Sequence, residues 1–314
     1  MQRNIRYINT KDMPREEWLK HRLCGIGGSE IAAVCGISKY KTPLDIYNEK
    51  LGLVPPFEGN ARTEAGIRLE NTVAEWYSDE TGNKVIRDNK MWILDDYLVA
   101  NVDRIIIPND STRYNGRGIL EVKTAGTYAA KNWDEEPPVE YIFQLQHYLD
   151  VLDMQWGEFA VLIGGNDFRH YFVERDDELV ALKNEQARKF WFDNVLKQVP
   201  PDPVNSKDIE TLYSRIEAGK VIEAAEPVYE TVEELRVIKQ RIKELESKEA
   251  EYTERIKLLM RDADALMFRG DTLATWKQSK DSVLFDAKRL QKEKPEIYNQ
   301  YLSERAGSRR FMVK

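Results

Sequence analysis

The chain has few cysteines and no long apolar run, and both shortages limit its class. Its 314 residues include two cysteines, Cys24 and Cys35, which are too few for a disulfide framework, a four-cysteine zinc site or a four-cysteine iron–sulfur cluster. No stretch approaches the ~18–20 apolar residues of a membrane span. The opening sequence MQRNIRYINTKDMPREEW also lacks the apolar segment of a secretion signal. We therefore expect a cytoplasmic protein without a membrane partner.

Basic residues are also fewer than acidic ones. The formal net charge is −7, which argues mildly against a protein that coats nucleic acid, because phosphate binding favours an excess of Lys and Arg. Residues 1–205 carry 33 Asp and Glu against 25 Lys and Arg, whereas residues 206–314 carry 21 against 22. The charge count alone does not distinguish a solvated acidic surface from a set of metal-binding carboxylates.

The pattern of the chain changes at the proline-containing stretch 199–206, which we interpret as a linker between two domains. Residues 1–205 mix helical and strand patterns, with helices predicted over 59–80 and about 139–152. Two β-branched runs, 97–108 and 118–124, flank a polar loop and predict a hairpin.

The second domain, 206–314, has a different pattern. Apolar residues recur there at alternating spacings of three and four, which predicts a helical a/d segment over about 228–268, followed by short strands and a basic tail. The spacing favours a plain helix–helix core over a partner site. The tail could contact DNA backbone or a partner protein.

The most informative residues for chemistry are Asp103, Glu121 and Lys123. Glu121 and Lys123 point the same way along a strand, because side chains alternate between its faces. If the hairpin turn is centred near Thr112, cross-strand partners have residue numbers that add to 224, as Asp103 and Glu121 do. The register would place their Cα atoms roughly 4.5–5.5 Å apart. Two carboxylates so close repel each other unless a cation or a proton lies between them.

This arrangement fits a phosphodiesterase site, but a plainer interpretation stays open. Mg²⁺ is bound by one or two carboxylates plus substrate phosphate oxygens, and a nearby lysine can orient water or stabilise developing charge. An E-x-K pair is also common on exposed, salt-bridged strands. Asp103 is harder to explain as surface, because it lies in the apolar sequence LVANVDRIII.

Two helical residues border apolar faces and complete the candidate set. Glu70 shares a face with Val73 and Tyr77, and Gln144 shares one with Tyr141 and Tyr148. A half-buried carboxylate or amide needs a partner, which a metal-bound water or a helix–helix hydrogen bond would supply.

A series of short motifs carries a family resemblance over about residues 15–165. The motifs, in order, are Arg22 with GIGGSE (25–30), GIRLE (66–70), ANVDR (100–104), ILEVKTA (119–125) and Tyr141-x-x-Gln144-x-Gln146-x-Tyr148. In order and spacing the series resembles the YqaJ-type viral recombinase family. These proteins are similar to phage lambda exonuclease and belong to the PD-(D/E)XK nuclease superfamily. The resemblance implies an α/β fold with a central mixed β-sheet flanked by helices, plus a mainly helical C-terminal extension.

The resemblance also implies roles for individual residues. Asp103 and Glu121, with the Val122 carbonyl, would bind Mg²⁺, for which Mn²⁺ is a substitute. Lys123 would position the attacking water, supported by Glu70 and Gln144. Arg22 and Ser29 would bind the 5′-phosphate, which suits a serine at a glycine turn and helix start.

The function implied by the family is 5′-to-3′ digestion of double-stranded DNA ends. The enzyme would release 5′-mononucleotides and leave a 3′ overhang for phage-type recombination by strand annealing. The implied partners are a single-strand annealing protein and, by family analogy, two further copies in a homotrimer, inside a bacterial host. Two alternatives remain: a nuclease of the same superfamily with other polarity or single-strand preference, and a non-catalytic DNA-end or adaptor protein.

Overall fold

The fold is described from a computed structural model, which covers residues 3–110, 114, 116–216, 219–304, 307 and 309–314. The chain divides into two compact units, Met1–Leu212 and Tyr213–Lys314. No helix in the described part of the chain is long and apolar enough to cross a membrane.

The first unit alternates short strands and helices. In chain order its elements are β1 (Ile5–Asn9), α1 (Arg15–Leu23), β2 (Ile26–Gly27), α2 (Gly28–Val34), α3 (Pro43–Lys50), α4 (Ala61–Thr81), β3 (Lys84–Arg87), β4 (Lys90–Leu94), β5 (Leu98–Ala100), β6 (Arg104–Ile107), β7 (Gly118–Ala125), a 3-10 helix (Thr127–Trp133), α5 (Val139–Val151), β8 (Trp156–Ile163), β9 (Asp167–Glu174), α6 (Asp177–Lys189), a π-helix (Phe190–Val195) and α7 (Ser206–Leu212). The predicted helices over 59–80 and 139–152 are thus confirmed to within two residues at each end.

A mixed five-stranded sheet forms the centre of this unit. Its strand order is β3-β6-β7-β8-β9, with β7 and β8 parallel and the other neighbours antiparallel. Helix α4 packs Val73 and Tyr77 on one face, and α5 packs Leu145 and Leu149 on the other. The predicted α/β core, a central mixed sheet flanked by helices, is therefore confirmed. A second sheet has the order β1-β4-β5-β2.

The predicted hairpin register is also confirmed. Arg104 pairs with Leu120 and Ile105 with Ile119, so partner numbers add to 224 as expected. The proposed turn centre, Thr112, lies outside the described residues. The run predicted over 97–108 is divided in two, because β5 pairs in the four-stranded sheet and β6 in the five-stranded one. The crossing between the sheets places Asp103 directly before β6.

The second unit consists of a long helix followed by small elements. These are α8 (Glu226–Met260), β10 (Ala265–Phe268), β11 (Asp271–Thr275), α9 (Ala287–Glu293) and α10 (Pro295–Gln300). The prediction of a helix to about residue 268 is wrong at its C-terminal end. Arg261 has φ +51°, and Arg269 and Gly270, with φ +50° and +93°, form a tight turn that pairs β10 with β11. Ala263 and Leu266 continue the apolar spacing without belonging to the helix.

Helix α8 also departs from the expected helix–helix core. Met260 is the only buried residue in the helix, all of which the structure describes. Apart from Met260 and the half-buried Val232 and Leu235, its large apolar side chains are exposed.

The packing of the central sheet against α5 leads to a prediction about stability. Phe159 is fully buried in β8 within the larger apolar core. We expect Phe159→Ala to lower the free energy of unfolding by about 3–5 kcal/mol, because it leaves a cavity. Urea denaturation of the two proteins measures the difference. As a control, Tyr128→Ala removes a side chain that is 97% exposed and should change stability by about 0.5 kcal/mol or less. Equal losses in the two variants would contradict the assigned packing.

Candidate active site

The candidate site lies on β7, whose side chains alternate between the two faces of the central sheet. Leu120 and Val122 pack towards α4, whereas Ile119 lies in the core on the α5 side. Glu121 and Lys123 share the face of Ile119, because side chains two residues apart on a strand point the same way. The pair therefore faces α5, where Gln144 lies.

Glu121, Lys123 and Gln144 form a closed hydrogen-bond network. The Oε1 atom of Glu121 accepts from Lys123 Nζ at 2.7 Å and from Gln144 Nε2 at 2.6 Å. Lys123 Nζ also donates to Gln144 Oε1 at 3.1 Å. The Oε2 atom of Glu121 is buried and has no hydrogen-bond partner. A buried carboxylate oxygen without a partner is costly and needs a ligand or a proton.

Asp103 is held beside Glu121 by the sheet register. It is one residue beyond the last ladder pair, Arg104 with Leu120, and its Oδ2 atom accepts from the Val122 backbone N–H at 2.8 Å. Burial and the negative charge of Glu121 raise the pKa of Asp103 to about 8, against the opposing effects of Lys123 and the Val122 amide. Burial likewise raises the pKa of Glu121. Both carboxyl groups therefore hold a proton more readily here than they would in water.

Lys123 keeps its charge in this half-buried position. Burial alone would lower its pKa, but the carboxylates of Glu121 and Asp103 outweigh that effect and raise it. The ammonium also lies 4.7 Å from the ring centroid of Tyr141, a cation–π contact. Lys123 is thus a fixed cation beside the two acids.

The structure places Glu70 apart from this network. Its Oε1 atom accepts from Arg104 Nη1 and, at 3.5 Å, from Arg87 Nη2. Arg104 is buried and also donates to the backbone carbonyl of Asp103 at 2.7 Å. Glu70 is still close enough for its charge to contribute to raising the pKa values of Asp103 and Glu121. Sequence reasoning missed Arg104, although its position next to Asp103 was a signal.

Arg22 and Ser29 lie together at the start of α2. Arg22 Nη2 donates to Ser29 Oγ at 3.1 Å and to Glu30 Oε1 at 3.3 Å. Ser29 does not cap the helix, because the N-cap is Gly27, whose N–H donates to Glu30 Oε2 at 2.7 Å. The exposed Ser29 hydroxyl and the guanidinium therefore present donors on one surface.

Two residues that sequence reasoning did not assign hold this pair in place. Glu30 is buried and forms an ion pair with Lys50, 2.7 Å between Oε2 and Nζ. Although burial favours the neutral acid, the positive charges of Lys50 and Arg22 lower the pKa of Glu30. Lys50 Nζ also donates to the Arg22 backbone carbonyl at 2.9 Å. The ionised carboxylate anchors Arg22.

A glycine contact links the Arg22–Ser29 pair to the carboxylates. A Cβ atom on Gly28 would lie 2.2 Å from Cε1 of Tyr148, so only glycine lets the ring lie against the start of α2. The Tyr148 hydroxyl accepts from Gln144 Nε2 at 3.0 Å, and Gln144 in turn contacts Glu121. One continuous set of contacts thus joins both groups of predicted site residues.

The acids present suit a hard divalent cation bound partly by substrate. No cluster of three or more His, Cys, Asp or Glu side chains in the described residues could hold a metal by itself. Asp103 and Glu121 supply two carboxylates, and Mg²⁺ sites commonly use one or two together with phosphate oxygens and water. The partnerless Glu121 oxygen and the raised pKa of Asp103 are features that a bound cation would relieve.

Comparison with known proteins points to one family. Residues 17–155 match the YqaJ-like viral recombinase domain. Over 313 residues the chain is 37% identical to an uncharacterized protein, YqaJ, of Bacillus subtilis (strain 168), covering 96% of this chain and 95% of that protein.

Two solved structures are similar to part of the chain. An alkaline exonuclease (LHK-Exo) from Laribacter hongkongensis aligns with 59% of this chain and 94% of its own, at 22% identity and a TM-score of 0.46. A phage-related exonuclease from Haemophilus somnus 129PT aligns with 55% of this chain and 96% of its own, at 15% identity and a TM-score of 0.41.

The raised pKa of Asp103, about 8, predicts a pH dependence of stability without metal. Unfolded aspartate ionises near pH 4, so between about pH 4 and 8 the folded chain binds more protons. Raising the pH through that window therefore lowers the free energy of unfolding. We expect Asp103→Asn to make the decrease of the free energy of unfolding with pH shallower, by up to about 1.4 kcal/mol per pH unit.

Urea unfolding in EDTA between pH 5 and 8 measures the effect. Asp110→Asn, on an exposed residue outside the site, serves as the control and should keep the slope of the unaltered chain. Parallel stability curves for Asp103→Asn and the unaltered chain would contradict the assignment.

Proposed function

The chain belongs to the YqaJ-like viral recombinase family, and from this premise we propose that it is a Mg²⁺-dependent 5′-to-3′ exonuclease of double-stranded DNA. The observation that carries the proposal is the pairing of Asp103 with Glu121 beside a charged lysine, with one Glu121 oxygen buried and without a partner. Two acids and a lysine in this arrangement suit hydrolysis of a phosphodiester.

Each residue has a part in the proposed reaction. Asp103, Glu121 and the Val122 carbonyl hold Mg²⁺, or Mn²⁺ in its place, which supplies Lewis-acid activation of the scissile phosphate. Lys123, oriented by Glu121 and Gln144, positions the attacking water and stabilises the charge that develops on phosphate oxygens.

Helix α4 and the start of α2 supply the remaining parts. Glu70, fixed by Arg104, supports the acids from α4. Arg22 and Ser29 bind the 5′-phosphate through charge-assisted hydrogen bonds. Anchoring the terminal phosphate next to the acids would select the 5′ end as the point of attack.

The proposed products and partners follow from the family. Release of 5′-mononucleotides leaves a 3′ single strand, the substrate of a single-strand annealing protein in phage-type recombination. A homotrimer around the duplex and a bacterial cytoplasmic location complete the proposal.

A linear duplex labelled at either its 5′ or its 3′ ends tests the chemistry and the polarity together. With Mg²⁺ we expect the 5′ label to appear in mononucleotides while the 3′ label stays in a long single strand, and EDTA should stop both. Early release of the 3′ label would indicate the opposite polarity, and digestion of single strands alone would indicate the other nuclease alternative. No cleavage with Mg²⁺ or Mn²⁺ would favour the adaptor alternative.

Substitution of Lys123 tests its role in catalysis separately from any effect on folding. We expect Lys123→Ala to lower the cleavage rate at least ~100-fold, because the water loses its orienting group. The matched control is Lys84→Ala on β3, where the lysine is exposed. It should cut at nearly the original rate, and circular dichroism should show both variants folded. Near-normal cleavage by a folded Lys123→Ala protein would remove the lysine from the mechanism.

The 5′-phosphate provides a separate prediction for Arg22 and Ser29. The unaltered enzyme should digest 5′-phosphorylated ends faster than 5′-hydroxyl ends, by about 10-fold or more. Arg22→Ala and Ser29→Ala should reduce that ratio towards one, chiefly by slowing the phosphorylated substrate. Arg15→Ala, on an exposed residue of the same helix α1, should leave the ratio unchanged. Equal rates on both ends with the unaltered enzyme would exclude the assigned role.

A further inference from the structure

Tyr141 on α5 supplies a third contact to the Lys123 ammonium. Lys123 Nζ donates to Glu121 Oε1 at 2.7 Å and to Gln144 Oε1 at 3.1 Å. It also lies 4.7 Å from the centroid of the Tyr141 ring. None of the described residues forms a hydrogen bond with the Tyr141 hydroxyl. The ring face, and not the hydroxyl, is therefore the part of Tyr141 that meets the site.

Buried aromatic neighbours fix the orientation of this ring. Trp133, which is 2% exposed, stacks on it with centroids 5.3 Å apart and ring planes 23° apart. Phe159 of β8 contacts it at a centroid distance of 6.4 Å. Trp133 is itself anchored, because Arg169 Nη1 of β9 donates to its backbone carbonyl at 2.8 Å. The 3-10 helix and two strands thus hold the Tyr141 ring against Lys123.

We propose that Tyr141 is a positioning residue of the candidate active site, whose ring face holds the Lys123 ammonium in place to orient the attacking water. This role rests on the proposed nuclease function. The face of an aromatic ring carries partial negative charge and attracts a cation that lies within about 6 Å of its centroid. The attraction is stronger where water is partly excluded, as it is around Lys123, whose side chain is 18% exposed.

The two oxygens alone hold the lysine poorly during the proposed reaction. Glu121 is also a proposed ligand of Mg²⁺, and a carboxylate shared with a divalent cation attracts an ammonium less strongly. The cation and the ammonium also repel each other. The Tyr141 ring is uncharged and is not one of the proposed ligands, so its attraction for Lys123 remains when the cation binds.

A plain packing role for Tyr141 makes a different prediction. The ring would then matter through its shape, which fills the space beside Trp133 and Phe159. Fluorine atoms on a phenylalanine ring withdraw electron density from its face and change its shape little. Stepwise fluorination at position 141 therefore weakens the attraction for Lys123 and leaves the packing nearly unchanged.

Cleavage rates of a fluorinated series test the positioning role. Tyr141→Phe keeps the ring face and should retain the rate to within about threefold. Replacing Tyr141 with mono-, di- and trifluorinated phenylalanine should lower kcat on a linear duplex in steps, by about 3- to 10-fold in all. KM should change by less than about twofold, because the ring acts through the lysine and not on the substrate. A constant kcat across the series would overturn the role.

Phe168 provides the matched control for the series. It is a half-buried aromatic residue of β9, stacked on Trp76 with centroids 4.9 Å apart and ring planes 9° apart. It packs on the α4 side of the sheet, away from Lys123. The same fluorinated residues at position 168 should leave kcat unchanged to within about twofold. A parallel decrease in both series would mean a general effect of the fluorinated residues and would overturn the role.

Urea unfolding in EDTA tests the contact between the ring and the lysine without any activity. Trifluorinated phenylalanine at position 141 should lower the urea midpoint relative to Tyr141→Phe, because a weaker contact stabilises the fold less. In a Lys123→Met background the difference should vanish, since the double-mutant comparison isolates the pair. An equal decrease in both backgrounds would overturn the contact.

The two measurements separate the role of Tyr141 from the proposed function. A chain that cuts DNA at one rate throughout the series keeps its nuclease function and loses the positioning role of Tyr141. A chain that cuts no DNA with Mg²⁺ or Mn²⁺, but shows the lysine-dependent difference in urea, loses the nuclease function and the positioning role together, while the contact stands.

Discussion

The candidate site depends on the repulsion between two carboxyl groups that the sheet holds side by side. The register of β6 and β7 sets Asp103 beside Glu121, and Glu121 cannot reach bulk water because it is buried on a central strand. Burial, and after it the negative charge of Glu121, raises the pKa of Asp103 to about 8. Lys123 and Gln144 satisfy one oxygen of Glu121, and the other oxygen is left for a ligand. The proposed cation would contact this oxygen and relieve the imbalance.

The helices around the sheet hold the candidate site residues in fixed positions. Helix α5 brings Gln144 against Glu121, and its Tyr148 ring lies against Gly28 at the start of α2. The Arg22–Ser29 pair is thereby tied to the carboxylates through packed groups in place of a flexible loop. Rigid support matters for hydrolysis, because displacement of a reacting group by about 1 Å can cost ~100-fold in rate.

Much of this geometry could be predicted from the sequence, because it depends on local rules. Strand alternation places Glu121 with Lys123, and the two runs around one loop give the register that pairs Asp103 with Glu121. The pairing of Glu70 with Arg104 could not be predicted, since it needs the tilt of α4 over the sheet. The capping of α2 by Gly27 instead of Ser29 depends on Glu30 turning inward to Lys50. The end of α8 was missed because Ala263 and Leu266 extend the helical spacing into a strand.

The protonation of Asp103 also depends on whether a cation is bound. In the absence of a cation, the raised pKa of Asp103, about 8, favours its protonated form at neutral pH. A divalent cation held by Asp103 would favour the ionised form instead, because metal ligands must be deprotonated. Binding of the proposed cation would therefore be coupled to the release of a proton from Asp103.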